Sequence, residues 1–317
     1  FKGIYMQTPK KLFKYKKFND DCMELIIDDY LYFANPAQFN DPLDCKVTIS
    51  DDVNNEAFLR DTLSTLLQRN SEKKLKASAK NLRYKGPKTA EKISLLSQSE
   101  AEKIISNIYA EFSFGQYDLH IQTINQALTS AIGNVILSGY NRGVLSLSKK
   151  DTCPLMWAHY ADNHKGLCLG YSIPENTVNK IRPVSYTSEF REIKISQIHR
   201  MLNGDENAKA EIEHNIFLRK AKPWEYEDEW RMVSDVGLQN PSIYLSEITF
   251  GLRCKYTTIF SVMMSLSERE TPVDFYKIVE VPHKFTLEKE IVTFEHERLQ
   301  GLPRCIESLD HELNDDE

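Results

Sequence analysis

Three short stretches of this 317-residue chain gather side chains that do chemistry. The densest is PLMWAHYADNHKG, residues 154–166, with an indole, two imidazoles, a phenol and a carboxylate at Trp157, His159, His164, Tyr160 and Asp162. In a helix Met156 and Tyr160 share a face, as do Leu155 and His159. Trp157 reads first as core volume, with a stacking surface as the alternative, whereas His159 with Tyr160, beside a glycine-limited turn, suits a pocket wall. His159 and His164 are five residues apart and so off a common helical face, and neither HExxH nor CxxC accompanies them. No metal site is therefore expected. Nothing marks Cys153 as an activated thiol for a Cys–His pair with His159.

The second stretch is KPWEYEDEWR, residues 222–231. Its alternation reads as a strand that turns Glu227, Glu229 and Arg231 to one side and Asp228 and Trp230 to the other. Two carboxylates and a guanidinium make a poor core, so that face is expected in solvent or in a pocket. Arg231 beside Glu229 is suited to keep the carboxylate ionised. The third stretch runs from Asn35-Pro36 through Phe39-Asn40-Asp41-Pro42-Leu43-Asp44-Cys45. It is first of all turn chemistry, from which Asn40 and Asp41 could reach a ligand.

The elements that must position these groups fall into three zones. Residues 11–50 read as two short strands, LFKYKKF and LYFANPAQF, the second entering the Asn-Asp-Pro loop. Residues 54–140 lack strand signals and repeat apolar positions at helical spacing, as at Leu59, Leu63, Leu66 and later Ile104, Ile105 and Ile108, which predicts three or four helices. Strands return with GVLSLS, LCLGYS and PVSY. A helical stretch follows over about 192–222, and EWRMVSD, SIYLSEITFGLRC, VDFYKIVEV and KEIVTF complete the strand set, with a helix near 256–266. The expected fold is α+β: a mixed or antiparallel sheet body from residues 1–53 and 141–300, an inserted all-helical lobe over 54–140, and an acidic tail over 301–317.

Composition bounds the functional classes. A hydrophobic share of 41% with 27% charged residues is ordinary for a globular chain. No apolar run approaches the roughly eighteen residues that a membrane helix needs, and the N-terminal segment has no apolar core of a signal peptide. Six scattered cysteines fit a reducing, cytoplasmic setting. A net charge of −6 argues against a protein dominated by nucleic-acid phosphates. The lysine-rich stretch Lys73, Lys74, Lys76, Lys80, Arg83, Lys85 and Lys88 reads as a solvated helical face, with a strip for nucleic acid or an acidic partner as the alternative.

In order, LFKYKKF (12–18), LYFANPAQFNDPLDC (31–45), GVLSLS (143–148), PLMWAHYADNHKGLCLGY (154–171), PVSY (183–186), WEYEDEWR (224–231) and ITFGLRC (248–254) resemble the segments of a bacterial family known as domain of unknown function 2971. A second resemblance is to ADP-ribosyltransferases, whose cores begin on a strand with a polar NAD-binding residue. They continue through a Ser-x-Ser strand and end on a late strand with a catalytic Glu, often as Glu-x-Glu. Lys14 or Lys16 with Tyr15, Ser146-Leu147-Ser148 and Glu227-Asp228-Glu229 occur here in that order, with Lys or Tyr standing where those enzymes carry Arg or His. This resemblance implies NAD as substrate, consumed by ADP-ribosyl transfer or glycohydrolysis, in a toxin or phage-defence setting. Glu229 would then stabilise an oxocarbenium ion, and Glu227 would deprotonate or orient an acceptor, a nucleic acid or a protein. Tyr160 or Trp157 would stack on nicotinamide, Ser148 would hold Glu229, and His159, His164, Asn40, Asp41 and Arg231 would complete the site. Two other classes stay open: a nuclease using His159, His164 and acidic residues, and a ligand-sensing module without catalysis.

Overall fold

Eight strands of a computed structural model form one mixed sheet, and the chemistry sits where two of them part. The described residues are 9–81, 86, 88–117, 120–140, 142–189 and 192–293. The acidic tail and Arg83 and Lys85 of the basic stretch lie outside them.

The chain begins with β1 (Lys11–Lys16), α1 (Asp20–Asp28), β2 (Leu31–Phe33) and β3 (Thr48–Ser50). Helices α2 (Glu56–Asn81), α3 (Thr89–Ser113) and α4 (Ile124–Gly139) follow. Next come β4 (Gly143–Ser148), α5 (Pro154–Tyr160), β5 (Leu167–Ser172), β6 (Arg182–Pro183), β7 (Ser185–Thr187) and β8 (Glu192–Lys194). Then α6 (Ile195–Leu202), α7 (Glu206–Phe217), β9 (Arg219–Ala221), β10 (Glu229–Ser234) and β11 (Gly237–Gln239). The last elements are β12 (Tyr244–Phe250), α8 (Tyr256–Ser265), β13 (Asp274–Glu280) and β14 (Leu287–Ile291). The main sheet runs β14-β13-β12-β5-β1-β4-β10-β6. Within that sheet, among the described residues, only β12 and β13 pair in parallel, while β3 with β8 and β7 with β9 form separate parallel pairs, so the fold is α+β with a mixed sheet, as expected.

Alternation along the central strands feeds two cores. Leu12, Leu145, Leu147, Trp230 and Met232 pack on one face against Leu25 and Ile26 of α1 and Ile259, Val262 and Met263 of α8. Phe13 and Tyr15 turn the other way, to Met156, Trp157 and Ala161 around α5. Each such aliphatic side chain, fully buried, contributes about 1.5–3 kcal/mol. A third core joins α2, α3 and α4 through Leu59, Leu63, Ile105, Leu128 and Ile132 to Ile198, Ile212 and Ile216 of α6 and α7. Described residues between 54 and 140 form no strand, and the helical layer they build is completed by these two later helices.

One helix escaped the sequence reading. Residues 20–28 lie in the zone read as strands, yet Asn19 caps them by accepting from the Cys22 amide at 3.1 Å. Asp20 and Asp21 occupy the first turn, where the helix dipole favours them.

β1 and β4 pair only at Phe13 and Ser148. Farther along β4, Val144 bridges instead to Ala34, just beyond β2. Between these two contacts, at Ser146, no strand among the described residues borders this edge of β4, and a cavity opens there.

Candidate functional site

The cavity measures about 450 Å³ and is walled by β1 from Phe13 to Lys16, by Phe39, Asn40 and Asp44 of the loop after β2, by Ser146 and Ser148, by Tyr160, and by Lys220, Glu227, Glu229 and Arg231. Sequence and structure disagree on how the two glutamates arrive. Lys222–Glu227 is a 3-10 helix begun by Pro223, and Asp228 follows in a left-handed conformation (φ 46°). The strand starts only at Glu229. Glu227 therefore comes off a turn and Glu229 off a strand, and both side chains reach one place.

Arg231 organises that place. Its Nε donates to Glu229 Oε1 at 2.7 Å and its Nη2 to Glu229 Oε2 at 2.9 Å. The same guanidinium donates to Asp44 Oδ1 at 3.1 Å and Oδ2 at 2.6 Å, and to the Phe217 carbonyl at 2.9 Å. Lys220 bridges the carboxylates, donating to Glu229 Oε2 at 3.1 Å and to Glu227, with Asp44 Oδ2 at 3.6 Å. Tyr160 donates its hydroxyl to Glu227 Oε1 at 2.6 Å and accepts from Asn40 Nδ2 at 3.4 Å. The backbone is fixed too: Ser148 donates to the Glu227 carbonyl at 2.6 Å, and the Glu229 amide donates to Tyr186 at 2.7 Å.

With every group ionised the network holds three carboxylates, Asp44, Glu227 and Glu229, against two cations, Lys220 and Arg231. One negative charge is in excess among these ion-paired, nearly buried side chains. Burial opposes charge on both glutamates, with different outcomes. At Glu229 the charges of Arg231 and Lys220 overcome it and hold the carboxyl down to about 2. At Glu227 desolvation wins over Lys220 and the Tyr160 hydrogen bond, so its pKa is raised. Lys220 is itself pushed up: burial opposes its charge, but Glu229, Glu227 and Asp44 outweigh that. Adjacent carboxyls driven apart divide into a fixed anion and a proton carrier.

The structure sorts the expected site residues. Glu227, Glu229, Arg231, Tyr160, Asn40, Lys14, Tyr15 and Ser148 all line the cavity. Trp157 does not: it is 0% exposed, its Nε1 bonds the Asp151 carbonyl at 2.8 Å, and it packs edge-on against Tyr15, sealed in the core. His159 is exposed, against Tyr160 and Tyr226. His164 follows a turn in which Asp162, Asn163 and His164 itself are all left-handed. It stacks on Trp157 and lines a different cavity with Arg253 and Leu287. The two histidines do not meet. Asp41 caps its own turn at the Leu43 amide, 2.8 Å away, is half-buried and does not line the cavity. Ser148 holds the Glu227 backbone, and it is Ser146 that lines the cavity beside Glu229 and helps to hold its carboxyl low.

Three members were not foreseen. Asp44 stood inside the Asn-Asp-Pro stretch but read as turn chemistry. Ser146 was paired with Ser148 in one motif and the roles were exchanged. Lys220 had no motif at all. It arrives because β9 pairs in parallel with β7, setting Lys220 beside Tyr186. Among the described residues no cluster of three or more His, Cys, Asp or Glu side chains has metal-holding geometry, and no helix is long and apolar enough to cross a membrane.

Residues 156–232 match the model of a family described as protein of unknown function, DUF2971. That span begins just before Tyr160 and ends just after Arg231. No curated protein and no solved structure matches the chain.

Proposed function

We propose that this member of the DUF2971 family is an enzyme that breaks the nicotinamide glycosidic bond of NAD and passes the ADP-ribosyl group to an acceptor hydroxyl or to water. The observation that carries the reading is the pair Glu227 and Glu229, buried in one cavity, bridged by Lys220 and driven to opposite protonation behaviour.

As the C1′–N bond breaks, its electron pair leaves with neutral nicotinamide and positive charge spreads over C1′ and the ring oxygen. A preorganised anion stabilises such charge best when it need not reorganise. Glu229, held by Arg231 at both oxygens, is that anion. The acceptor O–H then forms the new C1′–O bond, and its proton passes to Glu227, whose raised pKa makes it the better base. Tyr160 and Lys220 aim that carboxylate.

The test is nicotinamide release from NAD by the purified chain, in chelator, with protein and nucleic-acid acceptors in turn. Release should survive the chelator and fall on the order of a hundredfold or more in Glu227→Gln, the usual scale for losing a general base. A folded wild-type chain that releases no nicotinamide with any acceptor refutes the reading.

A further inference from the structure

A second cavity, of about 730 Å³, borders α5 at Pro154, whereas Met156 and Tyr160 of the same helix border the first, and the two share no lining residue. His164 lines it, and the backbone holds His164 in place. Asp162, Asn163 and His164 are left-handed in succession, a run that side chains adopt only where the surroundings enforce it. The Arg253 amide donates to the His164 carbonyl at 2.9 Å. Gly251 lets the two segments touch, since a β-carbon there would come within 2.2 Å of that carbonyl. Stacking on Trp157, with ring centroids 6.3 Å apart, orients the imidazole. Yet its Nδ1 is buried and, among the described residues, has no hydrogen-bond partner, a cost that a fold rarely leaves standing.

The rest of the lining says what would satisfy that nitrogen. Arg253 and Lys284 both line the cavity, and among the described residues neither has a carboxylate within ion-pair distance, Glu280 on the same lining included. Burial, and then the Arg253 charge, lower the His164 pKa, so the ring is neutral and can donate one N–H. Leu252 and Leu287 supply apolar wall. Phe285, on the turn that the Lys284 amide closes on the Val281 carbonyl at 3.1 Å, is fully exposed and adds an aromatic face that packs on nothing in the chain. An uncommitted guanidinium beside an unpartnered N–H, next to apolar surface, is complementary to an oxyanion carried on an apolar ring.

We propose that this cavity binds an organic anion, its carboxylate or phosphate received by Arg253 and the His164 Nδ1–H and its flat apolar body lying against Leu252, Leu287 and Phe285. Binding here needs no NAD turnover and none of the residues around the glutamates.

Phenyl phosphate, benzoate, inorganic phosphate and benzyl alcohol are titrated into the wild-type chain, Arg253→Gln and Arg253→Lys. Calorimetry reads affinity, and the ring-nitrogen resonances of labelled histidine, assigned through His164→Asn, read the contact. Arg253 is exposed, so glutamine there should leave the fold intact. At least one of the two aryl anions should bind the wild type and move the His164 Nδ1 resonance. Its affinity should fall roughly 10- to 100-fold in Arg253→Gln, the loss of one charge-assisted hydrogen bond, and Arg253→Lys should recover part of it. Phenyl phosphate alone binding makes the ligand a phosphate ester, and benzoate alone makes it a carboxylate. Inorganic phosphate and benzyl alcohol, each with half of the recognition, should bind roughly tenfold more weakly or less. Should Arg253→Gln fail to fold, the His164 resonance of the wild type decides. The proposal is overturned if neither aryl anion binds, if Arg253→Gln binds them like wild type, if benzyl alcohol binds as well as they do, or if the His164 resonance stays in place.

Discussion

Glu247 and Glu229 are both nearly sealed in the same sheet, at 2% and 5% exposure, and their surroundings differ in two ways. Glu247 on β12 accepts from Lys289 at 2.7 Å and from Lys11, and Lys289 also reaches Asp151 at 2.6 Å. That cluster balances two carboxylates with two lysines, and both lysines keep access to solvent, at 34% and 21% side-chain exposure. There is no room beside it. A β-carbon at Gly170 would come within 2.3 Å of Glu247 Cγ, so only glycine lets β5 pass under the side chain. Lys289 lies over the Phe13 and Tyr276 rings, 5.5 and 4.6 Å from their centroids, and fastens the edge strand β14 to the sheet. The Glu229 cluster is short of one cation and opens on a cavity. Charge that is balanced and packed solid is a clamp, whereas charge left unbalanced beside empty space is a site.

The largest contrast should come from removing one cation from each cluster. Arg231→Met strands Asp44 and Glu229 in the interior and should cost about 3–5 kcal/mol in chemical denaturation. Lys289→Met, with solvent at hand to relieve Glu247, should cost about 1 kcal/mol and leave nicotinamide release unchanged. Equal losses would erase the distinction between site and clamp.

Next in size is a pair of isosteric changes with different signs. Glu229→Gln removes the anion that Arg231 and Lys220 grip, and should destabilise by about 2–3 kcal/mol at neutral pH. Glu227→Gln removes the charge in excess and should leave stability unchanged or raise it. The pH dependence follows the same signs. Glu229, held low, contributes stability that is present above the ordinary glutamate value of 4.5 and lost as pH falls toward about 2. Glu227, held high, works the other way: stability declines as pH rises from 4.5 through its raised value. Denaturant midpoints of wild type and Glu227→Gln across this range should diverge in favour of the variant as pH rises.

The smallest effect concerns Tyr160. Its hydrogen bond lowers the Glu227 pKa against the desolvation that raises it. Tyr160→Phe should therefore shift the acidic limb of the pH–rate profile upward while reducing the rate roughly tenfold. An acidic limb that stays in place would detach Tyr160 from the acid–base role.

Much of the frame was legible because it rests on local periodicity. Phe13 against Leu12, Trp230 against Arg231, and the helical repeat of Leu59, Leu63 and Leu66 each declare a face, and β1, β4, β5, β10, β12 and α2 follow. Glu229 and Arg231 were legible for the same reason, being two apart on a strand. Polar residue type was a poorer guide. Trp157, His159 and His164 drew attention as aromatic and titratable groups, yet one fills core and the other two face away from the cavity. What decided the site was closure in space. Lys220 matters because parallel pairing of β9 with β7 brings it under Glu227 and Glu229, and no spacing within its own segment says so. The gap between β1 and β4 is likewise invisible in LFKYKKF and GVLSLS, since it arises where β1 leaves β4 and Ala34 takes its place. The 3-10 turn at Glu227 was hidden by an alternation that also fits a strand, although Pro223 marked its start.

The central claim is that one cavity pulls two neighbouring glutamates in opposite directions, and a site-resolved titration reads it directly. Carboxyl carbons observed by NMR in glutamate-labelled protein, assigned by Glu227→Gln and Glu229→Gln, should show Glu229 ionised until about pH 2 and Glu227 titrating above the ordinary 4.5. Two carboxyls that titrate together near 4.5 would contradict it.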